Sequence, residues 1–424
     1  KEIKTILVQN RGEIAIRIFR ACKELGIKSI AIYSEEDKNS LYRTIADESY
    51  RVGKGKPIDA YLDISGIITL AKSKGVDAIH PGYGFLSGNA EFAQACEEAG
   101  IELSVRTKHV KRTRRQDPVQ KVAIEVGVPT IPGVERAALN VEEAKEFAKV
   151  AGYPVIKAAG GGGRGMRVVR SEEDMEQEYN SATSEAKKAF GIADVFVEKY
   201  IERPKHIEVQ VLGDKYGNII HMFERDCSIQ RRHQKVIEFA PSLILSEEQR
   251  QAICEDALKI ARHVNYRSAG TVEFLVDAQG NHYFIEMNPR IQVEHCVTEQ
   301  ITGIDIVQAQ IRVAQGYKLA DPEIGIPTQD SITHRGYAIQ CRVTTEDPAN
   351  NFAPDTGTIE VYRSSSGHGI RLDSGNAYAG AQISPFYDSL LVKIIAYNRT
   401  FQGTIDTAIR CLHETKIKGV KTNI

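Results

Sequence analysis

The most regular pattern in the sequence is an alternation of polar and apolar positions between residues 284 and 295. The polar set consists of Glu286, Asn288, Arg290, Gln292 and Glu294, and every position between them is apolar or proline. Successive side chains of an extended chain point to opposite faces. The alternation therefore predicts a strand with an extended continuation, which carries the five polar groups on one face and the apolar groups in the core behind them.

A second strand is predicted directly upstream, at residues 270–276. Turn-forming residues at 277–281 join the two strands as a hairpin, which brings Glu273 towards Glu286 and Asn288. Carboxylate and amide oxygens that converge in this way suit Mg²⁺. A hairpin with a solvated polar face is the alternative, but the fixed order of arginine, glutamine and glutamate after these three residues favours a functional site.

The order of predicted elements before the hairpin is typical of an α/β protein. A strand at 5–8 is followed by apolar residues at helical spacing from 14 to 25 and by a second strand at 29–33. Because the GxGxxG signature is absent, a plain βαβ unit is favoured over a dinucleotide site. A later strand end at 77–80 enters a glycine-bent loop at 81–87, which is either a structural turn or a functional loop at the end of a strand.

A run of four glycines, 160–163, lies between the predicted apolar strands 154–157 and 167–169. Glycines let backbone N–H groups approach phosphate oxygens, and they also give a flap its freedom to move. Flexible linkers have similar composition. The flanking strands favour a phosphate-binding lid over a linker.

Two stretches are rich in hydrogen-bond donors. Residues 224–235 have the sequence ERDCSIQRRHQK, which is either a solvated loop or a set of donors for anions. Residues 106–117 contain six lysines and arginines without interleaved aromatic residues. A solvated basic segment is favoured there over a nucleic-acid patch.

Beyond the alternating stretch, residues 298–315 are predicted to form one amphipathic helix, and residues 336–342 a strand that ends on Arg342. Nothing in the local pattern distinguishes this arginine from an ordinary surface residue.

Composition excludes several classes of protein. The chain has 424 residues, of which 42% are hydrophobic and 26% charged, and a net charge of −1, which argues against nucleic acid or an anionic membrane as the main partner. Seven cysteines without a CxxC pair favour a reducing compartment over a disulfide framework. We expect no membrane span and no signal peptide, because no long apolar run occurs.

These motifs resemble those of the biotin carboxylases, which have the ATP-grasp fold, and most closely those of the biotin carboxylase domains of pyruvate carboxylases. The likeness covers nearly the whole chain. It is carried by NRGEIA at 10–15, HPGYGFLS at 80–87, the glycine run, ERDCSIQRRHQK at 224–235 and RIQVEH at 290–295. The segments 344–348, 354–357 and 387–393 favour pyruvate carboxylases over the acetyl-CoA enzymes.

The resemblance implies an α/β (α+β) protein with the ATP-grasp fold. A Rossmann-like N-terminal βαβ domain is expected at 1–116 and a glycine-rich lid at 130–202. The C-terminal part, 203–424, is expected to contain the ATP-grasp core at 203–320 and a mixed-sheet biotin carboxylase C-terminal domain at 330–424, which the family pattern suggests is truncated.

The implied reaction is ATP- and bicarbonate-dependent carboxylation of biotin through carboxyphosphate. Catalytic roles would fall on Glu294 as general base and on Arg290, Arg342 and Lys235. Bicarbonate and biotin would be bound by Lys235, Arg290, Gln292, the backbone of Val293, Arg342 and Tyr83. ATP would be bound by Gln116, Lys157, Gly162, Gly163, Met166, Glu198, Lys199, His206, Gln230 and His233. Mg²⁺ or Mn²⁺ would be held by Glu273, Glu286 and Asn288.

The implied partners are bicarbonate and a biotinylated carrier domain on another domain or chain, with no nucleic acid and no membrane. A homodimer, alone or within a larger homotetramer, is expected, in the cytoplasm or, in a eukaryote, the mitochondrial matrix. Pyruvate would be the final carboxyl acceptor.

The chain also departs from the family pattern. Gln116 stands where the family has a nucleotide-binding lysine, Gly88 stands where it has glutamate, and the segment 153–160 is one residue short. Two rival interpretations therefore stay open: another ATP-grasp carboxylate–amine ligase, and a biotin carboxylase scaffold that binds nucleotide with impaired activity.

Overall fold

The computed structural model describes residues 2–104, 118–133, 136–158, 167–190 and 194–424. The described residues belong to two compact units. One draws on 1–111, 207–272 and 288–424, and the other on 112–206 and 273–287. Within the described residues, no helix combines the length and the apolar character that crossing a bilayer requires.

The first unit begins with a five-stranded parallel sheet in the order β3-β2-β1-β4-β5. Its elements are β1 (Thr5–Val8), α1 (Gly12–Glu24), β2 (Lys28–Tyr33), α2 (Tyr42–Ile45), β3 (Glu48–Arg51), α3 (Ile64–Ser73), β4 (Ala78–His80), α4 (Ala90–Glu98) and β5 (Glu102–Leu103). Short 3-10 helices lie at Glu35–Asp37 and Pro57–Leu62. The predicted βαβ unit is confirmed.

Both faces of this sheet are buried, as is usual for parallel sheets. Ile6 and Val8 pack on the side of Ile14 and Ile18 from α1. Leu7 and Ile79 pack on the opposite side, against Ile67 of α3 and Phe92 of α4. The sheet is therefore a rigid platform from which the loops after β1 and β4 project.

The largest sheet has eight strands in the order β13-β12-β9-β10-β11-β14-β21-β19. Its strands and their connecting helices are β9 (Lys205–Gly213), β10 (Ile219–Arg231), β11 (Gln234–Ala240), α8 (Glu247–His263), β12 (Ser268–Val276), β13 (His282–Asn288), α9 (His295–Thr302), α10 (Ile306–Ala314), β14 (Tyr337–Thr344), β19 (Ile370–Ser374) and β21 (Leu390–Asn398). The neighbouring strands β9, β10, β11, β14 and β21 carry buried polar side chains among apolar ones, and the candidate functional site lies on these strands.

The remaining elements of the C-terminal part are one helix, several short strands and two 3-10 helices. They are β15 (Glu346–Asp347), β16 (Ala353–Pro354), β17 (Gly357–Thr358), β18 (Val361–Arg363), β20 (Gln382–Ile383), α11 (Phe401–Glu414) and β22 (Lys416–Lys418), with 3-10 helices at Gln329–Ser331 and Pro348–Asn350. Helix α11 packs on β14 and β21 through Cys411, Ile339 and Ile394.

The second unit contains a three-stranded antiparallel sheet in the order β7-β6-β8. Its elements are α5 (Pro118–Glu125), α6 (Val141–Ala151), β6 (Val155–Ala158), β7 (Arg167–Val169), α7 (Glu172–Phe190) and β8 (Phe196–Lys199). Asn140 caps α6 by accepting a hydrogen bond from the backbone of Glu143. Residues 273–287, which include the turn between β12 and β13, are also part of this unit.

Two predictions about the central stretch need correction. The strand ends at Asn288, and residues 289–294 form an irregular segment that leads into α9. The single helix predicted at 298–315 is two helices, because Gly303 adopts a left-handed conformation (φ 73°) that ends α9, and Asp305 caps α10.

Candidate functional site

The carboxylate of Glu294 is the centre of a buried polar cluster. Glu294 directly precedes α9 and is 1% exposed. Its Oε1 accepts a hydrogen bond from Nζ of Lys235 at 2.9 Å, and its Oε2 accepts one from Nη2 of Arg342 at 2.8 Å. The alternating stretch, the donor-rich segment and the strand after α10 thus supply one residue each to the same point.

Two further glutamates complete the cluster. Nζ of Lys235 also donates to Oε2 of Glu208 at 2.9 Å. Nε of Arg342 lies 2.6 Å from Oε1 of Glu238. Both added carboxylates are fully buried, so each cation is held between two of them.

Arg225 anchors the cluster from β10 and is itself inaccessible to solvent. Its Nε donates to Glu208 at 2.7 Å, and its Nη1 donates to Gln210 and to Thr298. Three cations and three carboxylates therefore balance one another inside the fold. Removing any one of these charges would leave a buried partner uncompensated.

The cluster separates the pKa values of its carboxyl groups. Burial alone would raise the pKa of Glu294, but the charges of Lys235 and Arg342 outweigh it and hold that pKa well below its usual range. For Glu208, burial and the adjacent charge of Glu294 raise the pKa to about 7. Burial also raises the pKa of Glu238 to about 7, against the opposing charge of Arg342. Groups with separated pKa values are typical of sites that transfer protons.

Gln292 contributes a donor that the protein leaves unused. The residue is 4% exposed, and its Oε1 accepts a hydrogen bond from Nη1 of Arg290 at 3.0 Å. Its Nε2 is buried and has no hydrogen-bond partner within the part of the chain that the structure describes. Buried donors are almost always paired, so Nε2 of Gln292 is suited to a small acceptor that enters beside Arg290.

A chain of contacts links Tyr83 to this segment. Tyr83, in the loop after β4, donates a hydrogen bond to Glu13 of α1. Oε2 of Glu13 lies 3.1 Å from Nζ of Lys393, which donates to the carbonyl of Val293 at 3.0 Å. Lys393 is fully buried and thereby fixes the backbone of the segment that carries Gln292 and Glu294.

Gln230 and His233 lie at the hairpin between β10 and β11. Arg232 and His233 form its turn in left-handed conformations (φ 51° and 64°), the geometry of tight hairpins. His233 is exposed, and Nε2 of Gln230 donates to the carbonyl of Cys227 at 2.9 Å. The pairing of β10 with β11 shifts in register between Asp226 and Gln230, which marks a β-bulge just before the hairpin turn.

The residues expected to bind ATP in the second unit are placed as follows. Lys157 lies on β6, Glu198 and Lys199 lie on β8, and His206 is half-buried on β9. Nζ of Lys199 donates to the carbonyls of Gly152 and Tyr153, so this side chain stabilises the turn before β6. Gln116, Gly162, Gly163 and Met166 lie outside the described residues.

The expected metal ligands lie on the hairpin of β12 and β13. Glu273 and Glu286 are half-buried, whereas Asn288, the last residue of β13, is 3% exposed. Two carboxylates and an amide oxygen are hard donors of the kind that Mg²⁺ takes, so these residues fit the expected ion. Gly88, where the sequence departs from the family, is exposed, with open space where a side chain would stand.

Three family models match the chain in sequence. The model described as biotin carboxylase N-terminal domain matches residues 2–104, the ATP-binding domain of the carbamoyl-phosphate synthase L chain matches 115–322, and the biotin carboxylase C-terminal domain matches 340–424. The biotin carboxylase domain of a thermophilic 2-oxoglutarate carboxylase, bound to bicarbonate, is 47% identical. It superposes with a TM-score of 0.93 over 100% of this chain and 92% of that one. The chain belongs to the biotin carboxylase family.

Other relatives agree with this assignment. The same domain from Hydrogenobacter thermophilus, a dimer in complex with MgADP, ADP and bicarbonate, is 48% identical and has a TM-score of 0.89 over 100% of this chain and 92% of that one. Pyruvate carboxylase from Bacillus subtilis is 57% identical over 100% of this chain but only 37% of its own length. The chain thus spans little more than a third of that relative. The ATP-grasp α/β fold expected from the sequence is confirmed.

Sequence reasoning missed several residues of the biotin carboxylase site. Glu208 lies between Ile207 and Val209, and Glu238 lies between Ile237 and Phe239. A single glutamate within an apolar strand was the signal for both. Arg225, Glu13 and Lys393 lie within the motifs 224–235, 10–15 and 387–393, but their partners could not be predicted, because these contacts join distant parts of the chain.

Proposed function

We propose that the chain carboxylates biotin with bicarbonate and ATP, through carboxyphosphate, as the first half-reaction of a pyruvate carboxylase. The observation that carries the proposal is the buried carboxylate of Glu294, held between Lys235 and Arg342, on the same segment as Gln292, whose buried Nε2 has no hydrogen-bond partner among the described residues. This arrangement offers an anion site, a proton acceptor and a cation for a developing negative charge within one cluster.

Bicarbonate would bind to Lys235, Arg290, Gln292 and the backbone of Val293. The unpaired Nε2 of Gln292 supports this assignment, because an oxygen of bicarbonate would satisfy it. The 2-oxoglutarate carboxylase domain, whose structure contains bicarbonate, supports the same choice of substrate.

Glu294 would act as the general base. Its lowered pKa keeps it ionised and able to accept a proton at neutral pH. A bicarbonate anion beside Lys235 would share the charge that now lowers this pKa, and would therefore raise it towards the range in which a base works best. Once Glu294 is protonated, Arg342 would be released to stabilise the negative charge that develops on the ureido oxygen of biotin, with Tyr83 against the same substrate.

ATP would bind to Gln116, to the lid residues Lys157, Gly162, Gly163, Met166, Glu198 and Lys199, and to His206, Gln230 and His233. Glu273, Glu286 and Asn288 would hold Mg²⁺ or Mn²⁺, which neutralises phosphate charge during phosphoryl transfer. The domain from Hydrogenobacter thermophilus, with MgADP bound, supports the nucleotide and magnesium.

The biotin substrate would reach the site on a carrier domain elsewhere in the same protein or on another chain, as the length of the pyruvate carboxylase relatives suggests. A homodimer, by analogy with the dimer of the 2-oxoglutarate carboxylase domain, would form alone or within a homotetramer. The compartment would be the cytoplasm or, in a eukaryote, the mitochondrial matrix.

The test is phosphate release from ATP with bicarbonate, in the presence and absence of free biotin. Stimulation by biotin is expected, and its dependence on bicarbonate distinguishes this activity from that of another carboxylate–amine ligase. Nucleotide binding without stimulated release would instead support an impaired scaffold.

A further inference from the structure

We propose that Glu238 is a positioning residue that holds the guanidinium of Arg342 in place while Glu294 changes its charge. The role rests on the proposed function, because it concerns the step in which Glu294 takes a proton. Glu238 is not among the residues that the sequence assigned to the site, and it would touch neither substrate nor metal itself.

The geometry of two paired strands places Glu238 against Arg342. Glu238 of β11 is the direct partner of Gln340 of β14, and Arg342 follows two residues later on the same face of β14. Oε1 of Glu238 lies 2.6 Å from Nε of Arg342, and Oε2 accepts a hydrogen bond from Nε2 of Gln340 at 3.1 Å. The carboxylate is fully buried and the Arg342 side chain is 19% exposed, so water screens the ion pair only weakly.

Glu238 and Glu294 hold different atoms of the guanidinium. Oε2 of Glu294 accepts a hydrogen bond from Nη2, whereas Oε1 of Glu238 lies against Nε, the guanidinium nitrogen nearest the side-chain stem. No acceptor among the described residues hydrogen-bonds Nη1. The terminal nitrogens Nη1 and Nη2 can therefore turn to a substrate oxygen while Nε stays in contact with Glu238.

The two carboxylates also differ in what happens to them during the reaction. When Glu294 takes a proton, its attraction for Arg342 weakens. Without a second anion, a long side chain with several rotatable bonds would then lose its position. The N–H of Arg342 does not point along the line to Oε1 of Glu238, so the restraint is mainly electrostatic, and it survives small rotations of the guanidinium.

The chain provides a matched control for a purely structural ion pair. Glu224 of β10 is also fully buried and also accepts a hydrogen bond from an arginine Nε, that of Arg250 at 2.9 Å. Arg250 has no place in the proposed mechanism. Glu224→Gln thus removes the same charge in the same kind of environment, away from the biotin site.

The experiment compares Glu238→Gln with the parent chain and with Glu224→Gln. Phosphate release from ATP with bicarbonate is measured across a range of free biotin concentrations, together with the release that occurs without biotin. We expect the biotin-stimulated rate of Glu238→Gln to fall about ten- to a hundred-fold, as for a misplaced catalytic group. The biotin-independent rate should stay within about two-fold of the parent, because it does not require Arg342.

Equal losses of both rates, or no loss of either, would overturn the role of Glu238, as would the same selective loss in Glu224→Gln. A Glu238→Gln variant that fails to fold is replaced by Glu238→Asp, which keeps the charge but withdraws it from Arg342 and should show the same selective loss. A parent chain without biotin stimulation rejects the proposed function and this role with it. An active parent with an unselective variant rejects this role alone.

Discussion

Nη2 of Arg342 donates a hydrogen bond to Oε2 of Glu294 at 2.8 Å, so the proposed base and the proposed stabiliser of negative charge are direct partners. Protonation of one therefore changes the electrostatic environment of the other. A base that must release a cation in order to work couples removal of the bicarbonate proton to activation of biotin.

Replacing Arg342 by lysine tests the planar geometry of the guanidinium separately from its positive charge. A lysine keeps the cation but cannot contact Glu294 and Glu238 with two atoms of one planar group. We expect the biotin-stimulated rate to fall about a hundred-fold or more, as when an electrostatic donor is removed. Nucleotide affinity, measured by calorimetry in the same preparation, should not change. A parallel loss of nucleotide affinity would show that the substitution disturbs the fold.

Glu286→Gln should weaken binding of the magnesium–nucleotide complex while the protein remains folded. The substitution replaces a charged oxygen ligand by a neutral one, and magnesium depends strongly on carboxylate charge. The measurement is MgATP affinity against affinity for ATP in the presence of a chelator, with the exposed Glu248→Gln as control. Equal MgATP affinity in Glu286→Gln and parent would contradict the assignment of this ligand.

The raised pKa values of Glu208 and Glu238 predict a specific pH dependence of stability. Both carboxyls titrate near 7 in the folded protein and near 4.5 when unfolded, so the folded state holds their protons more tightly. Their contribution to stability is complete below about pH 4.5 and is lost as the pH rises through 7, by up to about 3 kcal/mol for one group. Glu294 has a lowered pKa, so its contribution to stability is complete above its usual value of 4.5 and is lost only as the pH falls below that value.

Denaturant unfolding between pH 5 and pH 8 tests this directly. The parent should lose stability across this range, and Glu238→Gln, which cannot titrate at position 238, should lose less. The charged groups that face Glu238 are Arg342, Lys235 and Glu294; the pKa of Arg342 is raised and that of Glu294 is lowered, so neither of these two titrates in this window. Parallel curves for the two proteins would contradict the raised pKa.

Gln116→Lys should increase the affinity for ATP. A lysine at this position would add a charge-assisted contact to the phosphates, worth about 1.5–3 kcal/mol if the geometry allows it. Because the sequence around 116 also departs from the family pattern, we expect only part of that gain, which titration of nucleotide into the parent and the variant would measure. An unchanged affinity would show that another group takes the place of the family lysine.

Much of the site was predictable because its chemistry depends on local periodicity. The alternation from 284 to 295 identified Arg290, Gln292 and Glu294, and the structure brings the latter two into one buried region. The hairpin turn at 277–281 is confirmed, since Asp277 and Asn281 pair through their backbones. The positive φ of Gly303 was also foreseeable, because glycine after a helical stretch often ends a helix.

The remaining features depend on pairing between strands that are distant in sequence. The alternation predicted that the polar face would be extended through Glu294, whereas tertiary packing ends the strand at Asn288 and buries Glu294 before α9. Glu238 faces Arg342 only because β11 and β14 are neighbours, although residues 241–336 separate the end of β11 from the start of β14 in the sequence. Periodicity assigns faces within a strand but does not assign neighbours.

The most direct test of the central claim is the effect of Glu294→Gln on phosphate release from ATP with bicarbonate and free biotin. The account predicts that the parent releases phosphate faster with biotin than without. It also predicts that Glu294→Gln loses about a hundred- to ten-thousand-fold of the stimulated rate, as for a positioned base, while its ATP affinity is retained. Glu224→Gln should keep the stimulation. Near-parent stimulation in Glu294→Gln would contradict the account.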